Sequence, residues 1–437
     1  MSEESRPTTS RDILRELVAR DSTSATGNRG AVDVLEEVLA ASGAEIHRFD
    51  EPDGINANII AVYPATDAPG SAAPGSAAPG SAAPSPSSAP SPSSALFRAG
   101  EDDPERVGVM LAGHLDCVPV TGQSWTSDPF TLTERDGRLY GRGTADMKGY
   151  LAVAAALAPR IAAAERRVPV IIAATWDEET TGTGARHLVE QLEELQLRPA
   201  VCFVGEPTSM EAIPAHKSMN TLRAEFRGIA AHSSLLPRGL NAIRYAAEFI
   251  DFYHREVIDD FRENGPRDDA YPVPYSTGGV NVVEAGNAIN TVPARAVVDL
   301  EFRALPHLDP QQVVDRLQER IDRIDAEMRG AIPEDPADPV AAEQVGATLT
   351  VLNLLYGLDG SPDGPAATAA VALGADRTEG KVTYGTEAGI YEHAGMAAVV
   401  VGPGDIAQAH GADEFVTPEQ LERCEAFVAA LIEAVGR

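Results

Sequence analysis

Acidic residues and histidines recur in this sequence at the ends of apolar runs, and that placement is where chemistry can be sought. Val107, Val109 and Leu111 lead into Gly113, and His114-Leu115-Asp116 follow. Residues two apart in an extended segment project to the same side, so an imidazole and a carboxylate leave the strand end together. A carboxylate so placed can fix the tautomer of a metal-binding imidazole. The pattern repeats along the chain. The loop from Gly141 to Asp146 carries a carboxylate among glycines, ahead of Lys148, Gly149 and an Ala/Leu-rich helix, and its spacing fits neither nucleotide-binding fingerprint. Val168 to Thr175 is a continuous apolar run, the kind buried on both faces of a parallel sheet, and it ends in Asp177, Glu178 and Glu179. Ala200 to Val204 ends in Gly205-Glu206, and Ala397 to Val401 ends in Gly402-Pro403-Gly404, with His410 soon after.

Each group alone has an ordinary reading: His-x-Asp as surface polarity, an acid pair as the start of a helix. Three core strands in order, each ending in potential ligands with a helix between, point instead to a shared site at the carboxyl ends of an open α/β sheet. His114, Asp146, Glu179, Glu206 and His410 make two imidazoles and three carboxylates. That set suits Zn²⁺ better than Mg²⁺ or Ca²⁺, which favour all-oxygen shells. Five ligands are too many for one tetrahedral ion with an open position and fit two ions sharing a bridging carboxylate. Two metals about 3.5–4 Å apart can hold a hydroxide and polarise a carbonyl. Glu178 is then free to move the water's proton.

The elements that must position these groups can be read in outline. Ser10 caps an amphipathic helix over Asp12 to Arg20, with Ile13, Leu14 and Leu17 inward. A second helix spans Gly30 to Ser42 and stops at Gly43, and Ala57 to Tyr63 is a strand. Residues 65–95, built on PGSAA repeats and Pro/Ser steps, form a flexible insertion between two strands. From Ala215 the pattern changes to alternating strands and amphipathic helices: Thr221 to Phe226, Asn241 to Ile258, Gly278 to Glu284, Ala296 to Arg303 and Gln311 to Met328. This βαββαβ-like stretch reads as an inserted second domain. The division expected is a catalytic domain over 1–214, an inserted domain over 215–330, and the remainder of the catalytic domain over 331–437, with Val345 to Leu354 leading back to it.

The net charge of −31 argues against nucleic acid or an anionic membrane as partner. Cys117, Cys202 and Cys424 are too scattered for a disulfide framework. The opening MSEESRPTTSRD has no apolar signal region, and no uncharged apolar run is long enough to span a bilayer. A cytoplasmic protein is expected.

The motifs GHLD, GRGTADMKG, DEETTGTGA, GEPTS, HSS and GPGDIAQAH together resemble the ordered motif set of the dinuclear-zinc aminoacylase/carboxypeptidase family of metallohydrolases. The resemblance covers nearly the whole chain. It implies an α/β fold: a zinc-peptidase-like α/β/α catalytic domain with a mixed sheet, plus an inserted two-layer α+β, ferredoxin-like lid or dimerisation domain. It implies two Zn²⁺, with Co²⁺ as a possible substitute. His114 and Glu206 would hold one ion, Glu179 and His410 the other, with Asp146 bridging. Asp116 would orient His114, and Glu178 would be general base and acid. His232 matches a histidine that in relatives reaches the neighbouring subunit's site and steadies an oxyanion. Asn290 and Arg303 match residues near the substrate carboxylate. The implied reaction is amide hydrolysis of a small N-acyl amino acid by a homodimer. The chain departs from the family at Cys117, which is expected to be a packed thiol, and at the 65–95 insertion. The rival reading is a zinc-dependent binding protein without catalysis; an intact Glu178 speaks against it, since binding alone needs no base.

Overall fold

The computed structural model describes residues 8–66, 94–98 and 103–437; the 65–95 insertion lies almost wholly outside them. The chain divides into two units. The first comprises 1–214, 360–379 and 390–437, and the second 215–359 and 380–389. In chain order the strands that matter are β1 (Glu45–Asp50), β2 (Ala57–Tyr63), β3 (Val109–His114), β4 (Val170–Thr175) and β5 (Val201–Val204). Then come β6 (Met219–Arg227), β7 (Thr277–Ala285), β8 (Arg295–Arg303), β9 (Gly346–Leu355) and β10 (Ala397–Val400).

The first unit is built on a six-stranded mixed sheet in the order β1-β2-β4-β3-β5-β10. Strands β4, β3, β5 and β10 run parallel; β2 pairs antiparallel with β4, and the edge strand β1 pairs antiparallel with β2. Every residue of β2 to β5 is buried. Ala57, Ile59, Val109, Leu111, Val170, Ile172, Val201 and Phe203 enter one core with the helices Ser10–Val18, Arg29–Ala41, Lys148–Ala163 and Pro418–Gly436. The alternate residues face the other way, where Asn58 donates to Gly184 O and Gln191 Oε1 of helix Thr183–Glu194. A sheet covered on both faces has no solvent side, hence the unbroken apolar runs. The mixed-sheet α/β architecture is the one expected.

Some local features differ from expectation. Thr9, not Ser10, caps the first helix: its hydroxyl accepts from Asp12 N. Strand β1 (EIHRFD) is an edge strand with half-exposed residues, and its lack of alternating apolar residues hid it from the sequence.

The second unit carries a four-stranded antiparallel sheet in the order β7-β8-β6-β9. Helices Ala242–Phe252 and Pro310–Gly330 share a core with Leu222, Ala224, Phe226, Val298, Leu300 and Phe302 of its strands. This is the ferredoxin-like βαββαβ order. Its last strand is β9, so the boundary expected at 330/331 is wrong: the second unit continues to Asp359 and takes in 380–389 as well. The strand was legible, but backbone pairing of β9 with β6 is a long-range choice that local pattern does not encode. No helix among the described residues is long and apolar enough to cross a membrane.

Candidate metal centre

The five candidate ligands all lie in the first unit, as does Glu178. His114 is the last residue of β3 and is buried. Its Nδ1 lies 3.0 Å from the backbone oxygen of Asp116 and 3.4 Å from Asp116 Oδ1. An Nδ1–H donating there leaves the Nε2 lone pair for a metal. Asp116 does more than orient His114. Its carboxylate accepts the backbone N–H of Glu178 (3.1 Å) and of Glu179 (3.3 Å), and the hydroxyl of Ser24 at 2.9 Å. One buried carboxylate thus ties the end of β3 to the loop that follows β4.

Asp146 is positioned by a residue that the sequence did not flag. Glu414 is buried, and its two oxygens accept the N–H groups of Gly143 (3.0 Å), Ala145 (2.9 Å) and Asp146 (3.1 Å). Arg142 closes the arrangement with an ion pair to Glu414 at 2.7 Å. Gly143 has φ +82°, a left-handed conformation that favours glycine, and the Asp146–Met147 peptide is cis. Lys148, the next charged residue, caps the first helix by donating to Leu17 O and Arg20 O, both at 3.0 Å. The signal available was a charged pair, one member inside a glycine loop and the other four residues past His410.

Two groups of ligand atoms result: His114, Asp146 and Glu206 form one, and Asp146, Glu179 and His410 the other, with the atoms of each group within 4.8 Å of one another. Asp146 belongs to both, one oxygen to each. Its Oδ1 is 3.1 Å from His114 Nε2, and its Oδ2 is 3.3 Å from His410 Nε2. His114 Nε2 is 3.6 Å from Glu206 Oε1, and His410 Nε2 is 3.0 Å from Glu179 Oε2. Glu179 Oε1 is buried without a hydrogen-bond partner among the described residues. A buried carboxylate oxygen is costly to leave unpaired, and a cation would satisfy it.

The protonation pattern fits a site made for positive charge. Burial, and then the charge of Asp146, push Glu206 well above the usual carboxylate range, and the same two causes push Glu179 up to about 7. Bonds to Asp146 and Glu179 raise His410 to about 10. Burial opposes the charged form of His114, yet Asp116 and Asp146 lift it well above normal. Without a metal, protons hold these close carboxylates together; divalent ions would take their place.

The second unit carries the other sequence candidates. His232 is exposed and pairs its Nδ1 with Ser234 Oγ at 2.8 Å. The backbone oxygen of Asn290 accepts from Ser233 N at 2.9 Å, so Asn290 lies beside the His232 turn. Arg303 ends β8, with its Nε donating to Glu301 Oε2 at 2.8 Å. Cys117 is buried, with its sulfur 3.7 Å from Ser22 Oγ, and is in neither ligand group.

A family model described as peptidase family M20/M25/M40 matches residues 110–434, the span that holds both ligand groups. The chain belongs to that family. Among its relatives, this M20 chain is 31% identical to an acetylornithine deacetylase of Myxococcus xanthus over 425 residues, covering 97% of this chain and 96% of the relative. It is 33% identical to an acetylornithine deacetylase of Proteus mirabilis over 327 residues, covering 75% of this chain and 79% of that one. Solved structures share its fold. A metallo-carboxypeptidase of the M20 family from Sulfolobus solfataricus superposes with a TM-score of 0.67 at 17% identity, covering 100% of both chains. A dinuclear metal-binding M20 peptidase from Bacillus subtilis superposes at 0.57 and 16% identity, covering 98% and 96%. The M20 chain is a metallohydrolase, and the residues present suit a metal at both ligand groups.

Proposed function

We propose that this M20 enzyme hydrolyses the amide bond of an N-acyl amino acid, with N-acetyl-L-ornithine as substrate and L-ornithine and acetate as products. Such a reaction belongs to arginine biosynthesis, in the cytoplasm. The observation that carries the chemistry is the shared use of Asp146 by two ligand groups, beside a buried Glu178 that belongs to neither. The near end-to-end match to an acetylornithine deacetylase supports the substrate.

Two zinc ions held by these groups would acidify a water and polarise the acyl carbonyl. The rest is done by side chains. Glu178, held through its backbone by Asp116, takes the attacking water's proton and returns it to the leaving amine. His232 is assigned to the developing oxyanion of a neighbouring subunit, and Asn290 and Arg303 to the substrate carboxylate. Homodimerisation would use the second unit. Its edge strand β7 and the turns beside it expose Val282, Val283, Ile289, Leu235 and Leu236, an apolar surface of the kind that a partner covers.

The test is amine release from N-acetyl-L-ornithine, with succinyl-diaminopimelate, N-acetyl-methionine and a dipeptide alongside, before and after chelation and zinc return. Fast turnover of acetylornithine alone, abolished by chelation and restored by zinc, is the expected result. Preference for another substrate would make the chain a related desuccinylase, aminoacylase or dipeptidase with the same centre. No turnover of any substrate with two zincs bound would favour a binding protein.

A further inference from the structure

Gln123 lies outside every motif that marks the metal centre, yet its side chain connects two of the ligands. Its Oε1 accepts from Arg142 Nη2 at 2.6 Å and from Trp125 Nε1 at 3.0 Å, and its Nε2 donates to the backbone oxygen of His410 at 2.8 Å. The partners fix the amide orientation: two N–H donors face one end and a carbonyl the other, so a reversed amide would set donor against donor. Arg142 also lies over the Trp125 ring, 5.1 Å from its centroid, and gives its other arm to Glu414. Glu414 in turn holds the N–H groups of Gly143, Ala145 and Asp146. An unbroken series of hydrogen bonds therefore runs from the backbone of His410 to the backbone of Asp146.

His410 needs such a hold. Its side chain is 55% exposed, whereas those of the other four ligands are 6% exposed or less. It sits on a loop at φ +62°, in the left-handed region that few residues with a Cβ occupy. The same short segment grips that loop a second time, where Thr126 N donates to Asp413 Oδ1 at 2.9 Å.

We propose that Gln123 is a positioning residue for the metal centre: it sets His410 in register with the Asp146 loop, so that both meet Glu179 at one ion. The inference rests on the two-ion reading of the site. Gln123 touches no reacting atom, so its effect falls on one ion rather than on the chemistry directly.

The experiment titrates metal-free enzyme with zinc in a chelator-buffered series, and repeats it with Co²⁺ read by absorption. Gln123→Met keeps length and volume and removes all three bonds. Gln123→Glu keeps the acceptor toward Arg142 and Trp125 and loses the donor to His410. Both variants are expected to bind one ion as the parent does and the other roughly 10–100-fold more weakly, the usual loss when a ligand's hydrogen-bonded support is removed. His410→Ala identifies the affected ion by weakening the same one, and His114→Ala by weakening the other. Parent-like affinity for both ions in the variants overturns the proposal. So does a loss in Gln123→Met that Gln123→Glu restores, which would assign Gln123 to packing against Arg142. A parent enzyme that binds fewer than two ions would instead bring down the two-ion reading, and the inference with it.

Discussion

Glu178 and Glu179 are neighbours in sequence and differ in placement: the loop after β4 turns Glu179 toward His410 and leaves Glu178 outside both ligand groups, the place of the general base proposed above. Glu178→Gln should therefore keep zinc stoichiometry and lower kcat by about 10²–10⁴-fold, the range for losing a general base; parent-like turnover would refute the assignment. A second residue-scale expectation concerns His216, buried in the second unit. Its Nδ1 is 2.8 Å from Lys217 O, and its Nε2 is 3.0 Å from Thr386 Oγ1. A neutral ring satisfies both, donating to the carbonyl and accepting from the hydroxyl. Burial lowers its pKa from 6.5 to about 4. Between those values the unfolded chain binds the proton and the folded chain does not, so stability falls as pH drops through 6.5 toward 4, by roughly 3 kcal/mol in all. Denaturant titrations from pH 7 to 4 should show a shallower loss in His216→Gln than in the parent, and identical slopes would rule His216 out. The residues that meet in the two groups were legible because metal chemistry restricts residue type and strand ends restrict place. Glu414, Gln123 and Ser24 were not: Glu414 and Gln123 act through bonds to backbone groups far away in sequence, and Ser24 through its hydroxyl on the distant Asp116 carboxylate, contacts that any polar residue type can make.

At the scale of the element, the strand ends depend on close packing as much as on ligands. Gly205, just before Glu206, has no room for a side chain: a Cβ there would lie 2.0 Å from the ring of Tyr150, which is fully buried. Gly402, at the end of the neighbouring β10, would press a Cβ to within 2.1 Å of Gly205 O. Gly205→Ala must displace either a core ring or the segment bearing Glu206. It should cost about 1–3 kcal/mol by the usual penalty for overpacking, seen as a lower Tm of the metal-free protein; an unchanged Tm would show that the ring gives way freely. The apolar runs of β3, β4 and β5 could be read directly, because burial on both faces leaves no polar alternation. Strand β9 could be read as a strand but not placed, since nothing in its own residues says which sheet it joins.

For the whole molecule, the acidic balance of −31 favours solubility and repels polyanions, yet the second unit keeps an uncovered edge at β7. Natural sheets blunt such edges unless a partner uses them. Val283→Arg is expected to halve the mass measured by sedimentation while leaving the zinc content unchanged. A parent enzyme that already sediments as a monomer would remove the dimer, and with it the task given to His232.

The division of the chain also sets a schedule. His114, Asp146, Glu179 and Glu206 all belong to its first half, whereas His410 follows the whole of the βαββαβ unit and β10. A ribosome adding about 5–20 residues per second needs roughly 10–40 s to travel from Glu206 to His410. During that interval the nascent chain carries the group of His114, Asp146 and Glu206 complete, and the group of Asp146 and Glu179 still one ligand short. The group of Asp146, Glu179 and His410 therefore has all its residues only near the end of synthesis, and so does the hold of Glu414 on the Asp146 loop, which both groups share.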